Sequence, residues 1–316
     1  MTKTVVLGGD GFIGRHLVAE LASSGSERIV AFDRFALYQG GADHPWRGQP
    51  NVEVVAGDFF NRDDVAAVLD GADYVFHLVS TTNPATSLHD PLIDIDTNVR
   101  GTVELLQLCV AKGVRKVVFV SSGGTVYGNV DSDRIDESML TEPLSPYAIG
   151  KLTIENYLRY FKFTSGLDYI VYRAANPYGP GQNILGKQGV IPIFMHSVLE
   201  KRPVTILGDG SMVRDYVYIG DLTRMIASSY APASKHEVYN LGSGHGTTVN
   251  RLAEAIQECA GYPVEKVFSP MPPTYVQRSV LNIDRFVGEF QLSPSTSLED
   301  GLARTWAHLK EARPPG

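Results

Sequence analysis

The sequence predicts an α/β protein built on a doubly wound parallel sheet, followed by a smaller α/β lobe. Short apolar runs alternate with stretches of helical spacing, and most of these runs are apolar throughout. Strands buried on both faces need continuous apolar runs, and β-helix-β alternation implies parallel pairing. At 316 residues, the chain has room for about two domains.

Six apolar runs are the predicted strands of the sheet, and they lie at 4–8, 28–33, 52–58, 73–78, 116–122 and 168–173. The helical pattern after the first run ends at Gly25, because glycine readily takes the left-handed conformation that closes a helix. Asn61 followed by Asp64 predicts the amino-terminal cap of the next helix.

The texture of the sequence changes near residue 177, where Gly, Pro and Asn concentrate in NPYGPGQNILGKQG. A strand is predicted at 204–207, and helices are predicted near 190–201, 219–231, 249–260 and 297–311. We therefore divide the chain into residues 1–176, with segments at about 213–245 returning to that domain, and a lobe formed mainly by 177–316.

Composition excludes several classes of function. The formal net charge of -7 and the lack of a basic run argue against a nucleic-acid partner. Two cysteines do not make a disulfide framework, and the histidines show no metal-ligand spacing, so no metal is expected. With neither an apolar leader nor a run of about 20 apolar residues, we expect a soluble cytoplasmic protein with no membrane partner.

The first predicted strand runs into GGDGFIG, with Gly8, Gly11 and Gly14 at three-residue spacing before an amphipathic helix. Glycine lets backbone N–H groups approach a pyrophosphate closely at the helix amino end. Asp33 ends the second strand and would accept hydrogen bonds from ribose hydroxyls, which favours NAD over NADP. Arg34 beside it weakens that preference. A tight structural turn is the less favoured alternative.

Further cofactor candidates lie where the third and fourth predicted strands end. Asp58 and Phe59 could meet the adenine, although Asp58 could equally cap the following loop. Leu78, Val79 and Ser80 lie at the mouth of the fourth strand. Ligands of doubly wound sheets bind at the carboxyl ends of the strands.

The segment SPYAIGK places Tyr147 and Lys151 four residues apart, on one face of a helix predicted from about 145 to 165. A free tyrosine has a pKa near 10, but a nearby ammonium group stabilises the phenolate. Tyr147 is therefore a candidate base, although the same spacing also occurs in ordinary helix-surface pairs.

Together these motifs resemble the extended short-chain dehydrogenase/reductase family, specifically its nucleotide-sugar epimerases of the UDP-glucose 4-epimerase type. The resemblance covers nearly the whole chain and rests on GGDGFIG (8–14), HLVS (77–80), DTNVRGT (96–102), SSGGTVYG (121–128), YAIGK (147–151), YRAANPYGPGQ (172–182), GDGSMVRDYVYIGD (208–221) and YNLGSG (239–244). It implies that residues 1–176 are an NAD-binding Rossmann domain and that 177–316 mainly bind the nucleotide sugar.

The resemblance also assigns residues to the two ligands. Tyr147 would be the base, Lys151 would hold both phenolate and ribose, and Asn98 would steady the central helix. The other implied cofactor residues are Phe12, Ile13, Ser121, Ala175 and Pro177. The implied substrate residues are Thr82, Ser122, Thr125, Asn176, Val190, Thr205, Arg214 and Arg278.

Arg214 is expected on a phosphate, because a guanidinium keeps its charge and presents a planar fork of donors. A salt bridge with Asp215 or Asp221 is the alternative. Pro272-Pro273 stands where the family usually carries an arginine, which leaves Arg278 as a possible substitute.

A second departure from the family pattern is Gly123, which stands where relatives carry a catalytic Ser or Thr. A hydroxyl must then come from Ser122, Thr125 or a water molecule, or a neighbouring group takes over its role. The implied reaction is inversion at C4 of a UDP-type sugar through a 4-keto intermediate.

Two alternatives stay open. A 4,6-dehydratase of the family carries an acidic residue just before VYG, where this chain has Gly124 and Thr125, so dehydration is disfavoured and a keto-reductase remains. A catalytically silent NAD-sensing protein would fit Gly123 but not the retained Tyr147 and Lys151.

The helices around 91–112 and 145–165 carry apolar residues on more than one face. Burial within one chain would explain this pattern. The resemblance implies instead that they pair across a two-fold axis as the core of a homodimer. The residues concerned are Leu105, Leu108, Val110, Tyr157, Leu158 and Phe161.

Overall fold

The computed structural model describes residues 2–23, 25, 27–35, 44–84, 86–183, 189–271 and 276–311. Pro272 and Pro273, which replace the expected arginine, lie outside the described residues.

The main sheet contains the six predicted strands and a seventh. Its strands are β1 (Lys3–Leu7), β2 (Arg28–Asp33), β3 (Val52–Ala56), β4 (Tyr74–His77), β5 (Lys116–Ser122), β6 (Asp168–Ala174) and, after three strands of smaller sheets, β10 (Val238–Leu241). The helices between them are α1 (Phe12–Ser23), α2 (Arg62–Leu69), α3 (Arg100–Lys112) and α4 (Pro146–Ser165), with a 3₁₀ turn at Thr86–Leu88 and a π-helix at Asp94–Val99.

The strand order is β10-β6-β5-β4-β1-β2-β3, which confirms the predicted doubly wound α/β fold. Strand β1 pairs in parallel with both β2 and β4, so the chain leaves the middle of the sheet in opposite directions. This reversal is the topological switch point at which open α/β sheets bind ligands. Leu7 is in register with both Phe32 and His77, so the turns after these three strands begin at one level.

Local sequence explains where the helices begin and end. Asn61 caps α2 by accepting the Asp63 N–H at 3.0 Å, as predicted. Ser145 caps α4, and Pro146 occupies its first turn, where no N–H is needed. Edge strand β3 differs from expectation, because it is only partly buried and Val54 is exposed.

The later part of the chain forms two smaller sheets with their helices. β7 (Asn176–Tyr178), β11 (Gly246–Thr248) and β13 (Arg278–Ser279) all pair with β9 (Val213–Tyr218), and β8 (Val204–Leu207) pairs with β12 (Lys266–Ser269). The helices are α5 (Val190–Leu199), α6 (Ile219–Ser229), α7 (Val249–Ala260), α8 (Asp284–Phe290) and α9 (Leu298–Glu311).

Contacts divide the chain into two compact units. Unit 1 comprises residues 1–122, 145–173 and 223–239, and unit 2 comprises 123–144, 174–222 and 240–316. This division differs from the one drawn at residue 176, because 123–144 belongs to unit 2 and only 223–239 of the later chain returns to unit 1. Long-range strand pairing causes the difference: Ile135 bridges Leu281, and the Asn240 N–H bonds to Glu137.

Each unit has its own hydrophobic core. In unit 1 the apolar faces of β1, β4 and β5 pack with α2, α3 and α4. In unit 2 the core gathers residues of α5, α7 and α9 with those of β8 and β9.

The described part of the chain contains no helix long and apolar enough to span a membrane. Nor do its histidine, cysteine and acidic side chains cluster in threes as metal ligands would. Cys109 is buried and Cys259 is partly buried, and neither is in a disulfide. Burial raises the pKa of the Cys109 thiol, which keeps it inert.

Candidate active site

The glycine turn after β1 is as tight as the sequence predicts. Gly8 has a φ of +91°, and its N–H donates to the Phe32 carbonyl at 3.0 Å. A Cβ on Gly14 would lie 2.0 Å from the Gly8 carbonyl oxygen, so only glycine fits there. The first turn of α1 then presents the N–H groups of Phe12 and Ile13, which no carbonyl of the helix accepts.

Asp33 lies beside this turn. Its two carboxylate oxygens accept the backbone N–H groups of Asp10 at 3.1 Å and of Arg34 at 2.7 Å. These bonds fix the carboxylate at the carboxyl end of β2, where a ribose would be held, and leave it further acceptor capacity.

Asp58 and Phe59 take local partners. Asp58 accepts the Phe60 N–H at 3.0 Å, so the turn role that competed with adenine binding is present. The Phe59 ring stacks on His77 with centroids 5.3 Å apart. Burial and the Lys151 charge lower the His77 pKa to about 3, which makes this ring a neutral packing partner.

The loop after β4 approaches the glycine turn through its backbone. A Cβ on Gly8 would lie 3.2 Å from the backbone of Leu78 and Val79. The Ser80 hydroxyl donates to the Thr82 carbonyl at 3.0 Å. Thr82 is buried, and its own hydroxyl donates to Asp94, so its expected contact with substrate stays a prediction.

Asn98 joins this loop to the π-helix before α3. Its side-chain carbonyl accepts the Thr81 N–H at 3.0 Å, and its amide donates to Thr82 and to Asp94 at 2.9 and 2.6 Å. Both ends of the amide are therefore engaged. Asn98 thereby fixes the loop that follows β4 against the π-helix.

Tyr147 and Lys151 occupy one face of α4, as their spacing predicts. The Lys151 ammonium lies 5.7 Å from the centroid of the Tyr147 ring and 4.7 Å from that of Phe119, and donates to the Val120 carbonyl at 3.1 Å. The Ser122 side chain forms a hydrogen bond with Tyr147. Of the hydroxyl sources considered for the position of Gly123, Ser122 is thus in contact with Tyr147, and its catalytic role stays a prediction.

Burial shifts the pKa values of Tyr147 and Lys151 in the directions that favour the neutral form of each side chain. It raises the pKa of Tyr147 to about 12, which the Ser122 hydrogen bond opposes and the Asp94 charge reinforces. It lowers the pKa of Lys151 to about 8, against the raising effect of Asp94 and Glu155. In this buried environment, a nearby positive charge that stabilises the phenolate therefore has a strong effect on the pKa of Tyr147.

A buried ion pair supports the helix behind Lys151. Glu155 accepts a 2.6 Å hydrogen bond from the Arg173 guanidinium and a 2.5 Å bond from the Ser121 hydroxyl. The three side chains tie α4 to β5 and β6. Ser121 is thus committed to Glu155, and its expected cofactor contact stays a prediction.

Unit 2 holds the remaining candidates near the start of β7. The Ala175 N–H donates to the Leu241 carbonyl at 2.7 Å, and the Asn176 amide donates to the Asp215 carbonyl at 2.9 Å. Pro177 pairs with Val217 between β7 and β9. Thr125 lies in the 123–144 segment of the same unit.

Arg214 contacts backbone oxygens. Its guanidinium donates to the carbonyls of Val213 at 2.9 Å and Val276 at 2.5 Å. The Asp215 carboxylate instead accepts the N–H and the hydroxyl of Ser243, at 2.8 and 2.6 Å. The role of Arg214, on a phosphate or in a salt bridge, stays a prediction.

The other substrate candidates of unit 2 are spread over several elements. Val190 begins α5, and Thr205 lies exposed on β8. Arg278 pairs with the carboxylate of Asp133 at 3.3 Å, on a segment that the sequence division had placed in the first domain.

The structure brings most of the predicted cofactor and catalytic residues into unit 1, and two residues that the sequence analysis did not single out join them. Asp94 and Glu155 are buried carboxylates that act on Lys151. Glu155 has a weak sequence signal, because it follows Lys151 by four residues on the same helix face. Asp94 has none, because the π-helix displaces it from the ordinary helical period.

Comparison with known proteins places this arrangement in a family. The sequence profile of the NAD dependent epimerase/dehydratase family matches residues 4–242. The UDP-glucose 4-epimerase of Mycolicibacterium smegmatis is 34% identical over 304 residues, which cover 96% of this chain and 97% of that protein.

Two solved structures are also similar over nearly their whole length. The UDP-glucose 4-epimerase of Thermotoga maritima, with UDP-glucose, has a TM-score of 0.90 and 34% identity, and covers 98% of this chain and 99% of its own. The UDP-glucose 4-epimerase of Thermus thermophilus, in complex with NAD, has a TM-score of 0.89 and 32% identity, with coverages of 99% and 100%. The chain therefore belongs to the NAD dependent epimerase/dehydratase family.

Proposed function

We propose that this protein is an NAD-dependent epimerase that inverts C4 of a UDP-type nucleotide sugar through a transient 4-keto sugar. The observation that carries the proposal is the Ser122–Tyr147–Lys151 arrangement, which lies in the same unit as the glycine turn. The similar UDP-glucose 4-epimerases support the choice of reaction and of UDP.

The residues of the glycine turn fit NAD. A Cβ on Gly14 would clash with the Gly8 carbonyl oxygen, so only glycine lets α1 begin this close to the turn. The backbone of the turn and the amino end of α1 are then suited to a pyrophosphate. The Asp33 carboxylate lies where it would accept hydrogen bonds from ribose hydroxyls. Its negative charge would repel a 2′-phosphate. When bound, NAD supplies the site that accepts and returns a hydride.

Tyr147 handles the proton of the reaction. Its phenolate removes the proton of the C4 hydroxyl and later returns it. Lys151 stabilises the phenolate by its charge, and the Ser122 hydroxyl donates a hydrogen bond to the same oxygen. Because Ser122 already contacts Tyr147, the epimerase does not need a hydroxyl at position 123.

Unit 2 supplies the proposed contacts to the nucleotide sugar. We assign Arg214 to a phosphate, Asn176 to the region of the diphosphate, and Val190 and Thr205 to the nucleobase. The Arg214 guanidinium donates to two carbonyl oxygens, which fix the orientation of a planar fork suited to a phosphate. Arg278 and Thr125 are secondary candidates, since Arg278 already pairs with Asp133.

Two of the alternatives, dehydration and a silent sensor, gain no support from the site. Dehydration needs an acidic group just before VYG, and Gly124 and Thr125 occupy those positions. A silent sensor would have no use for a tyrosine held by both a serine and a lysine.

A homodimer through α4 and its neighbourhood is part of the proposal. Leu105, Leu108, Leu158 and Phe161 are buried within unit 1, so burial in one chain accounts for them. Apolar side chains nevertheless stay exposed on the same helices, and Phe163 is 90% exposed. The exposed set is Val110, Ile149, Tyr157, Tyr160 and Phe163. A second copy of the chain would cover them.

A reducing cytoplasm fits the two unpaired cysteines.

The test is an NMR assay of the purified protein, with no added cofactor, against UDP-glucose, UDP-N-acetylglucosamine and UDP-glucuronate. We expect the C4 epimer of one of these sugars to appear and denaturation to release NAD. Released NAD with every sugar unchanged would contradict the epimerase assignment and favour a keto-reductase or a sensor.

A further inference from the structure

The π-helix Asp94–Val99 brings a buried carboxylate to the catalytic helix. Asp94 is only 2% exposed, although ionised side chains are rarely buried without a reason. π-Helical turns are rare in proteins, and those that occur often lie at functional sites. Asp94 is therefore a candidate for a role in the reaction.

Both oxygens of Asp94 accept hydrogen bonds. The Thr82 hydroxyl donates to Oδ2 at 2.9 Å, and the Asn98 amide donates to Oδ1 at 2.6 Å. Both of these partners donate to the group, which is the pattern that suits the ionised carboxylate. In the described part of the chain no lysine, arginine or histidine forms an ion pair with Asp94.

Gly150 admits this carboxylate to the helix between Tyr147 and Lys151. A Cβ at position 150 would lie 3.1 Å from Asp94 Oδ1 and 3.5 Å from its Cγ. Any other residue would push the carboxylate away from the helix face that carries the proton-transfer pair. The contact is therefore built by a glycine on one side and a π-turn on the other.

The charges around Lys151 differ in what balances them. Glu155 is compensated by the Arg173 guanidinium, which it binds with both carboxylate oxygens. His77 is neutral. Asp94 is the charge that most strongly raises the pKa of Lys151 against burial. The titratable and charged groups facing the pair are Asp94, Glu155, Arg173 and His77.

We propose that Asp94 is a positioning residue of the proton-transfer pair: its carboxylate keeps Lys151 in the ammonium form and sets the pH range in which Tyr147 exchanges its proton. The expected effect of Asp94 on the reaction rests on the proposed function, whereas its contacts with Thr82, Asn98 and Gly150 do not. The negative charge of Asp94 lies against α4 at Gly150, where the absence of a side chain leaves room for it.

Replacement of Asp94 by Asn tests the proposal, because it removes the charge and keeps the size. Loss of a negative charge lowers the pKa of both Tyr147 and Lys151. We expect both limbs of the pH profile of kcat/KM to move to lower pH, by roughly 1 unit or more. The matched control is Asp96→Asn on the exposed side of the same π-helix, which should leave the profile in place.

A second readout does not depend on turnover. The tyrosinate absorbance of the holoenzyme, with the Tyr147→Phe form of each variant as its blank, should show a lower midpoint for Asp94→Asn. Gly150→Ala displaces the charge without removing it and should give a smaller shift in the same direction. Unmoved midpoints and an unmoved profile in folded variants would overturn the proposal. Should no sugar be turned over, the absorbance titration still decides the role of Asp94.

Discussion

The two units of this chain build their sites by different means. In unit 1 the critical contacts are close approaches at glycines: Gly8 and Gly14 lie against backbone atoms, and Gly150 lies against the Asp94 carboxylate. In unit 2 the central candidate, Arg214, is held by carbonyl oxygens of its neighbours. Glycine spacing is visible in a sequence, whereas carbonyl contacts of an arginine are not. The glycine turn and the Tyr147–Lys151 pair of unit 1 could therefore be predicted from local spacing, whereas the contacts of Arg214 in unit 2 could not.

The largest effect should follow a methyl group added to the glycine turn. In Gly14→Ala, the Cβ would meet the Gly8 carbonyl oxygen at 2.0 Å, so the turn must open. We expect almost complete loss of co-purified NAD and a lower Tm, measured by cofactor release and calorimetry. Gly288→Ala is the control, because a Cβ there meets no atom within 4 Å. Full NAD content in Gly14→Ala would show that the turn is not the cofactor site.

A smaller effect should separate the two hydroxyl candidates. Ser122→Ala removes the hydrogen bond to Tyr147, and a hydrogen bond to a charged group contributes about 1.5–3 kcal/mol. We expect kcat/KM to fall roughly 10- to 100-fold. Thr125→Val, in unit 2, should lower it much less. Equal losses in the two variants would return the catalytic hydroxyl to an open question.

The smallest expected effect sharpens the role of unit 2. Arg214→Lys keeps the charge but loses the planar fork, so KM for the nucleotide sugar should rise about tenfold, with kcat little changed. Steady-state kinetics measure this, with Arg251→Lys on the surface as the control. A lower Tm at unchanged KM would show instead that Arg214 only braces its neighbouring strands.

Most of the fold and the core of the candidate site could be predicted from the sequence. The doubly wound sheet, Asp33 and the pair Tyr147–Lys151 follow from local patterns: apolar runs, glycine spacing and helical period. The assignment of 123–144 to unit 2 could not be predicted, because it depends on a pairing between Ile135 and Leu281 that is distant in sequence.

Phe59, Asp94 and Glu155 show a second limit. Phe59 stacks on the neutral His77 ring, a contact that the sequence does not indicate, and its expected approach to adenine stays a prediction. Buried carboxylates look like surface residues in a sequence, since what buries them is a partner from another element. Asp94 needs Thr82 and Gly150, and Glu155 needs Arg173.

Replacing Tyr147 by Phe tests the central claim most directly, by NMR of UDP-sugars beside the unaltered protein and without added cofactor. General acid–base catalysis contributes about 10²–10⁴-fold, so we expect epimerisation to fall by at least this range while the NAD content stays unchanged. Tyr160→Phe, an exposed tyrosine of the same helix, should retain full activity. Epimerisation at the original rate in Tyr147→Phe would contradict the assignment of Tyr147 as the base and the mechanism built on it.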